Sequence, residues 1–335
     1  MKPRIAILLG DPAGVGPELV AKLLSSRRAG RTASVVVIGD RSVFDEGQRV
    51  AGVRVELENI SDIAELPLHR EAVFFHLPAA VVGKVVPGRV SVEAGTSALV
   101  ATRFALKQVK DGKLDGILFA PFNKEALKLA GSPHRTELAL FADELGCPVP
   151  SGEINVLRNL WTSRVTAHVP LSEVASQVTR ERVLHTIRFL NGALRKYGVE
   201  APRIAVAALN PHASDGGLFG SEERTEIGPA IQDANAECIA AFGPFPADTI
   251  FNRVKPEHYD GIVSMFHDQG QIATKLLGFD MGVTVCGGLT VPIATPAHGT
   301  AFEIAGQGVA RPGAIKEAFR LITRLAAGNL KASPR

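Results

Sequence analysis

Seven short apolar runs punctuate the chain, and almost none of them alternates. They are IAILLG (5–10), SVVVIGD (34–40), GILFAP (116–121), RVTAHV (164–169), RIAVAALN (203–210), GIVSMF (261–266) and VTVCGG (283–288). A strand with one wet face alternates apolar and polar residues, whereas a strand covered on both faces has no polar side to show. Between the runs the apolar positions change to helical spacing, over 17–28, 95–112, 179–198 and 221–238. These segments carry end signals: Pro17 suits a first turn, Thr179 and Ser221 suit N-caps, and Gly112 and Gly198 suit the residue after a last turn. Doubly covered strands alternating with helices dictate an α/β fold with a mostly parallel sheet.

At 335 residues, with 46% hydrophobic and 21% charged positions, the chain supplies a large packed core and suits two domains or one large α/β unit. The turn-rich stretches GSPH (131–134) and CPVPSGE (147–153) break the pattern where a domain crossing would fall. The 37 basic and 34 acidic residues leave a net charge of +3 without a basic run, which argues against a nucleic-acid partner. Cys147, Cys238 and Cys286 are odd in number and far apart. They make neither a disulfide framework nor a zinc knuckle, so a reducing cytoplasm is expected. The first apolar run is too short for a membrane span and reads as the first strand.

Ligands of open α/β sheets lie beyond the carboxyl ends of the strands. Three histidines are expected there: His168 in RVTAHVP, His212 in LNPHASDGG and His267 in MFHDQG. Neutral imidazoles from three strand ends suit one divalent metal. The chain has no HExxH or CxxC motif, so spacing alone does not establish a metal site, and a lone strand-end histidine is more often a hydrogen-bonding surface residue. The stretch GDPAGVGPE (10–18) is neither GxGxxG nor a Walker loop; it reads as a structural turn, with Asp11 and Glu18 as carboxylates that line a site. The run TPAHGTAFEIAGQGVARP (295–312) holds three glycines. It reads either as a backbone loop that approaches a ligand closely or as a turn-rich connection before the last helix. Lys124 and Lys275 follow strand ends, where a lysine holds an anion, donates a proton or is simply solvated.

Taken together, GDPAGVGPE, APFNKEAL, ALNPHASDGGLFGSEE, GPFPADTIF, FHDQGQIATK and HGTAFEIAGQG resemble the 4-hydroxythreonine-4-phosphate dehydrogenase family, collinearly and over nearly the whole chain. The last of these also resembles the cofactor loop of isocitrate and isopropylmalate dehydrogenases. The resemblance implies an α/β fold of two α/β/α domains around a cleft, isocitrate/isopropylmalate dehydrogenase-like. One domain would span 1–130 plus 300–335, and the other, over 131–299, would carry the metal ligands and a dimer interface.

The resemblance further implies a homodimer with its active site at the subunit interface. It implies NAD or NADP on His298, Gly299, Thr300, Ala301 and Gly306, and a divalent metal on His168, His212 and His267 (zinc, with magnesium, manganese or cobalt as alternatives). Lys275, Asp248 and Asp268 take catalytic roles by this resemblance, and Arg135, Thr136, Lys275 and Thr284 contact substrate. The family oxidises a secondary alcohol beta to a carboxylate, with loss of carbon dioxide. A Lewis acid at the alcohol oxygen favours that chemistry.

Two departures bear on the substrate. Arg135 stands where the family has the histidine of a His-Thr pair, and Thr284 and Ile293 stand where it has asparagine and arginine. Losing that arginine removes a bidentate anion contact. Four-carbon sugar-acid phosphates and the cis-dihydrodiol of terephthalate are therefore alternative substrates. A metal-dependent hydrolase and a catalytically silent binding protein are the alternatives from other classes.

Overall fold

The computed structural model describes residues 2–26, 29–68, 72–78, 85–147 and 152–332. The strands are β1 (Arg4–Leu8), β2 (Ser34–Gly39), β3 (Glu58–Asn59), β4 (Val73–His76), β5 (Gly116–Phe119), β6 (Gly152–Leu157), β7 (Leu160–Arg164), β8 (Arg203–Ala207), β9 (Ala240–Phe245), β10 (Gly261–Ser264), β11 (Val283–Gly287) and β12 (Ile293–Pro296). The chain divides into two compact units, Met1–Ser151 with Val283–Arg335, and Gly152–Gly282. Each is an α/β/α lobe on a mixed sheet. Among the described residues no helix is long and apolar enough to cross a membrane.

In the first unit the sheet order is β3-β4-β2-β1-β5-β12-β11. All its pairs are parallel except β11 with β12. Ile5, Ala6 and Ile7 of β1 and Val35, Val36 and Val37 of β2 are fully buried, which is why these runs do not alternate. The helix Val92–Lys110 is capped by Ser91, whose hydroxyl accepts from Ala94 N. In the second unit the order is β6-β7-β10-β8-β9, with only β6–β7 antiparallel. The helix Arg180–Lys196 starts at the expected cap, Thr179, and buries Val183, Ile187, Leu190 and Leu194 as one stripe.

The structure corrects the sequence reading in three places. The units part at 151/152 and 282/283, not at 130 and 299. The helix Glu137–Leu145 puts Leu140, Phe141 and Ala142 into the first unit's core, and β11 and β12 extend that unit's sheet. Of the second expected crossing, residues 148–151 lie outside the described residues. Of the run 164–169 only Arg164 is in a strand: β7 is the more polar LWTSR that ends there, and His168 lies beyond the strand end. The helix expected from Ser221 begins as a π-helical turn, Glu223–Ile227, and becomes an α-helix only over Gly228–Ala236.

Candidate active site

The three predicted histidines follow three neighbouring parallel strands, β7, β10 and β8. Past the last ladder pair, Val165 N donates to Ser264 O at 2.9 Å and Thr166 N to Met265 O at 3.0 Å. This register carries His168 and His267 to adjacent positions, with ring centroids 5.6 Å apart. His267 opens the helix His267–Gly278, and its Nδ1 lies 2.6 Å from Asp268 Oδ1. A carboxylate on Nδ1 fixes the tautomer with the proton there and leaves Nε2 to a ligand, the usual support of a metal-binding imidazole. Gln269 ties the two strand ends together: its Oε1 accepts from Met265 N at 2.7 Å, and its Nε2 donates to Ala208 O at 2.8 Å.

His212 is presented differently. Residues His212, Ala213, Ser214 and Asp215 all have positive φ, 54°, 56°, 70° and 43°, and Gly216 continues the turn at 72°. A left-handed turn costs an L-residue about 1–2 kcal/mol per position, so this segment must be held. Buried Glu223 holds it. Its Oε1 accepts from Leu209 N (2.9 Å) and Asn210 N (2.7 Å), and its Oε2 accepts from Asn210 Nδ2 (3.0 Å) and the Ser214 hydroxyl. Burial alone would raise the Glu223 carboxyl, but the bonds from Asn210 and Ser214 hold it below the usual glutamate value. Gly220, at φ 138°, leaves room for the Asn210 amide, which a Cβ there would strike. His212 and His168 are exposed. Among the described residues no three of His, Cys, Asp and Glu gather closely enough to hold a metal ion.

In the first unit the loop 298–310 is clamped from below. Gly14 makes way for it: a Cβ there would stand 2.9 Å from Thr300 Cβ and from its carbonyl oxygen. Val15 N donates to Thr300 O at 3.0 Å. Glu18, 2% exposed, accepts from Ala310 N at 2.9 Å and from Lys22 Nζ at 2.6 Å. Lys22 also donates to Gly308 O and Ala310 O, at 2.8 and 2.9 Å. Among the described residues the buried Glu18 Oε2 has no hydrogen-bond partner. Glu18 lines a cavity of about 330 Å3 together with Gly14, Ser42, Glu46, Pro87 and Gly306. Asp11 is 1% exposed and bonded to Ala13 N; burial pushes its carboxyl up to about 6 against that bond. The glycine-rich N-terminal turn thus supports the 298–310 loop through Gly14 and Glu18.

A family model described as pyridoxal phosphate biosynthetic protein PdxA matches residues 31–322. The chain belongs to the PdxA family. A protein of Pseudomonas aeruginosa provisionally named 4-hydroxythreonine-4-phosphate dehydrogenase 2 is 47% identical over 326 residues, covering 96% of this chain and 97% of its own. One of Symbiobacterium thermophilum, provisionally named D-threonate 4-phosphate dehydrogenase, is 36% identical and covers 97% of each chain. The crystal structure of 4-hydroxythreonine-4-phosphate dehydrogenase from Klebsiella pneumoniae matches with a TM-score of 0.85 at 32% identity, over 97% of this chain and 98% of that one. A terephthalate 1,2-cis-dihydrodiol dehydrogenase from Burkholderia xenovorans matches with a TM-score of 0.64 at 26%, over 96% and 98%. As a PdxA-family protein the chain is an NAD(P)-dependent oxidoreductase.

The other residues predicted for this PdxA-family site are scattered over both units. Lys275 lies exposed on the helix that His267 opens, about two turns on. Asp248 is exposed just past β9, at the same carboxyl edge as the histidines. In the first unit Arg135 is exposed, and the Thr136 hydroxyl caps the helix Glu137–Leu145 by accepting from Ala139 N at 3.2 Å, which leaves its own proton to donate. Thr284 lies on β11, opposite Thr295 of β12. Ile293 is fully buried in the core cluster of the first unit. His298 sets its Nδ1 2.9 Å from Gly299 O, Ala301 has a left-handed φ of 47°, and Gly306 faces Pro87. Sequence reasoning missed Lys22 and Glu223. The i,i+4 spacing from Glu18 was a signal for Lys22; nothing in the sequence marked Glu223 beyond its acidity at an expected helix start.

Proposed function

We propose that this PdxA-family enzyme oxidises the secondary alcohol of a phosphorylated hydroxy acid, of the 4-hydroxythreonine 4-phosphate or D-threonate 4-phosphate type, followed by loss of the beta carboxylate as carbon dioxide. The observation that carries the reading is the His267–Asp268 pair beside His168, at strand ends where a metal-binding site belongs. The names of the relatives support the substrate class.

Two groups that the reaction needs fit the residues present. The donor chemistry at His168, His212 and His267 suits a divalent ion such as zinc. The backbone at Gly299, Thr300, Ala301 and Gly306, with the cavity and the unsatisfied Glu18 oxygen beside it, suits a nucleotide that offers hydroxyl donors. When bound, the nicotinamide takes a hydride and the ion lends positive charge to the alcohol oxygen.

The chain's own residues then have these tasks. Asp268 fixes the His267 tautomer. Lys275 offers an ammonium to the carboxylate or a proton to the carbon it leaves. Asp248 takes up the alcohol proton. Arg135 grips the phosphate in place of the arginine that Ile293 has replaced, since a fully buried position 293 faces no anion.

We further read the enzyme as a homodimer. Leu218 and Phe219 beside His212, and Ile272 and Leu276 on the helix of His267, are large apolar side chains between 50% and 83% exposed. Their exposure next to candidate ligands, with no three-donor set complete among the described residues, supports ligands drawn from two copies.

The test is nicotinamide reduction by the metal-supplied full-length chain, offered 4-hydroxythreonine 4-phosphate, D-threonate 4-phosphate and the terephthalate dihydrodiol. Turnover of a phosphorylated acid is expected. Turnover of the dihydrodiol alone would overturn the phosphate reading. Arg135→Ala should raise KM for the phosphorylated acid about tenfold, roughly 1.4 kcal/mol of charge-assisted contact, with kcat kept.

A further inference from the structure

We infer that Glu223 is the positioning residue for His212. The inference rests on the reading of His212 as a metal ligand, and goes beyond it by naming what aims that ligand.

Four consecutive non-glycine residues, His212 to Asp215, hold a left-handed backbone. Free in solution, such a segment would relax to a right-handed or extended form and swing the imidazole away. Glu223 grips the chain on both sides of His212. Before it, Leu209 N and Asn210 N share one carboxylate oxygen; after it, the Ser214 hydroxyl meets the other, and the Asn210 amide adds a fourth bond. All four partners are donors, two to each oxygen, so the position calls for a carboxylate. A glutamine would turn an NH2 toward two of them.

Glu223 is itself anchored. It begins the π-helical turn that runs into the helix Gly228–Ala236, and Ile227 at the end of that turn is fully buried. The direction of His212 is thereby referred to a packed helix rather than to its own exposed loop. Single π-turns of this kind recur at functional sites because they redirect one side chain without ending a helix. Glu222 reinforces the arrangement, its Oε2 accepting from Asn210 Nδ2 at 2.8 Å and from Ser221 N at 3.0 Å.

The experiment compares the full-length wild type with Glu223→Ala, Glu223→Gln, Ser214→Ala and His212→Ala. Cobalt(II) affinity is read by titration, and hydrogen exchange is read at the Leu209 and Asn210 amides. Glu223→Ala should lower cobalt affinity at least about tenfold and speed exchange at both amides, while nicotinamide cofactor affinity stays unchanged. Glu223→Gln keeps one oxygen and should lose less. Ala213→Gly placed in the Glu223→Gln protein should restore part of the lost affinity, because glycine accepts the left-handed position without strain; a general folding defect would instead lower nicotinamide cofactor affinity together with that for cobalt.

Unchanged cobalt affinity in folded Glu223→Ala, with affinity lost in His212→Ala, would overturn the inference and leave the metal reading standing. Unchanged affinity in His212→Ala would overturn the metal reading, and the inference with it. If Glu223→Ala does not fold, Glu223→Gln and Ser214→Ala decide: wild-type affinity in both overturns the inference.

Discussion

The two regions in which the predicted site residues lie are built on opposite plans. The 298–310 loop is held by buried charge: Glu18 and Lys22 bind three of its backbone groups, and Gly14 lets it lie directly on the N-terminal turn. The histidine region is open. His168 and His212 are exposed, and the His267 ring meets a carboxylate neighbour, Asp268. A loop that serves through its backbone must be fixed along its whole length, and one unit can do that alone. A metal centre needs only a few side chains to converge from strand ends, so its donors can stay exposed until a further component completes the set.

That contrast can be broken most decisively at His267. His267→Ala should abolish measurable cobalt binding and lower kcat/KM by well over the roughly hundredfold that losing a supporting partner costs, with NADH affinity intact in a fluorescence titration. Joint loss of cofactor and metal binding would mean that the two regions are not separable. Next in size is Lys22→Met, which leaves Glu18 buried without its cation. Stability should fall by about 3 kcal/mol, and KM for the cofactor should rise, while cobalt affinity holds. A cobalt affinity that falls in step with stability would blur the distinction.

The smallest effect is at Asp11, in the N-terminal turn. Its carboxyl is raised to about 6 by burial, from an ordinary 3.8. A raised carboxyl binds its proton more tightly in the folded state, so its contribution is present below the ordinary value and is lost as the pH rises through the folded one. Asp11→Asn should remove this loss. Its stability relative to wild type should improve by roughly 2–3 kcal/mol between about pH 4 and about pH 7, measured by urea unfolding at both. A constant difference between the two proteins would show that Asp11 does not titrate in this range.

Much of this was legible in the residues. Unbroken apolar runs announced doubly covered strands, and β1, β2, β5, β8, β10 and β11 lie where they were expected. The caps at Thr179 and the stop at Gly198 were visible because capping is a local event. The edge strands β3 and β9, the short β4 beside β3, and the antiparallel β6 and β12 were not seen, since short or half-polar segments become strands only when a neighbour supplies the ladder. The unit boundary was misjudged for a related reason. Local turn signals at 131–134 mark where the chain bends, not which core the next helix joins.

At the site, the sequence by itself determined which residue types could do chemistry and that they follow strand ends, because side-chain chemistry and strand periodicity are local properties. Only the tertiary structure decided which of them meet. The register of β7 against β10 brings His168 to His267, a carboxylate nine residues beyond Ser214 forces four residues into a left-handed turn, and a lysine one turn along a helix clamps a loop 286 residues away. Those pairings depend on contacts between segments far apart in the chain, and such contacts exist only once the strands have paired and the helices have packed.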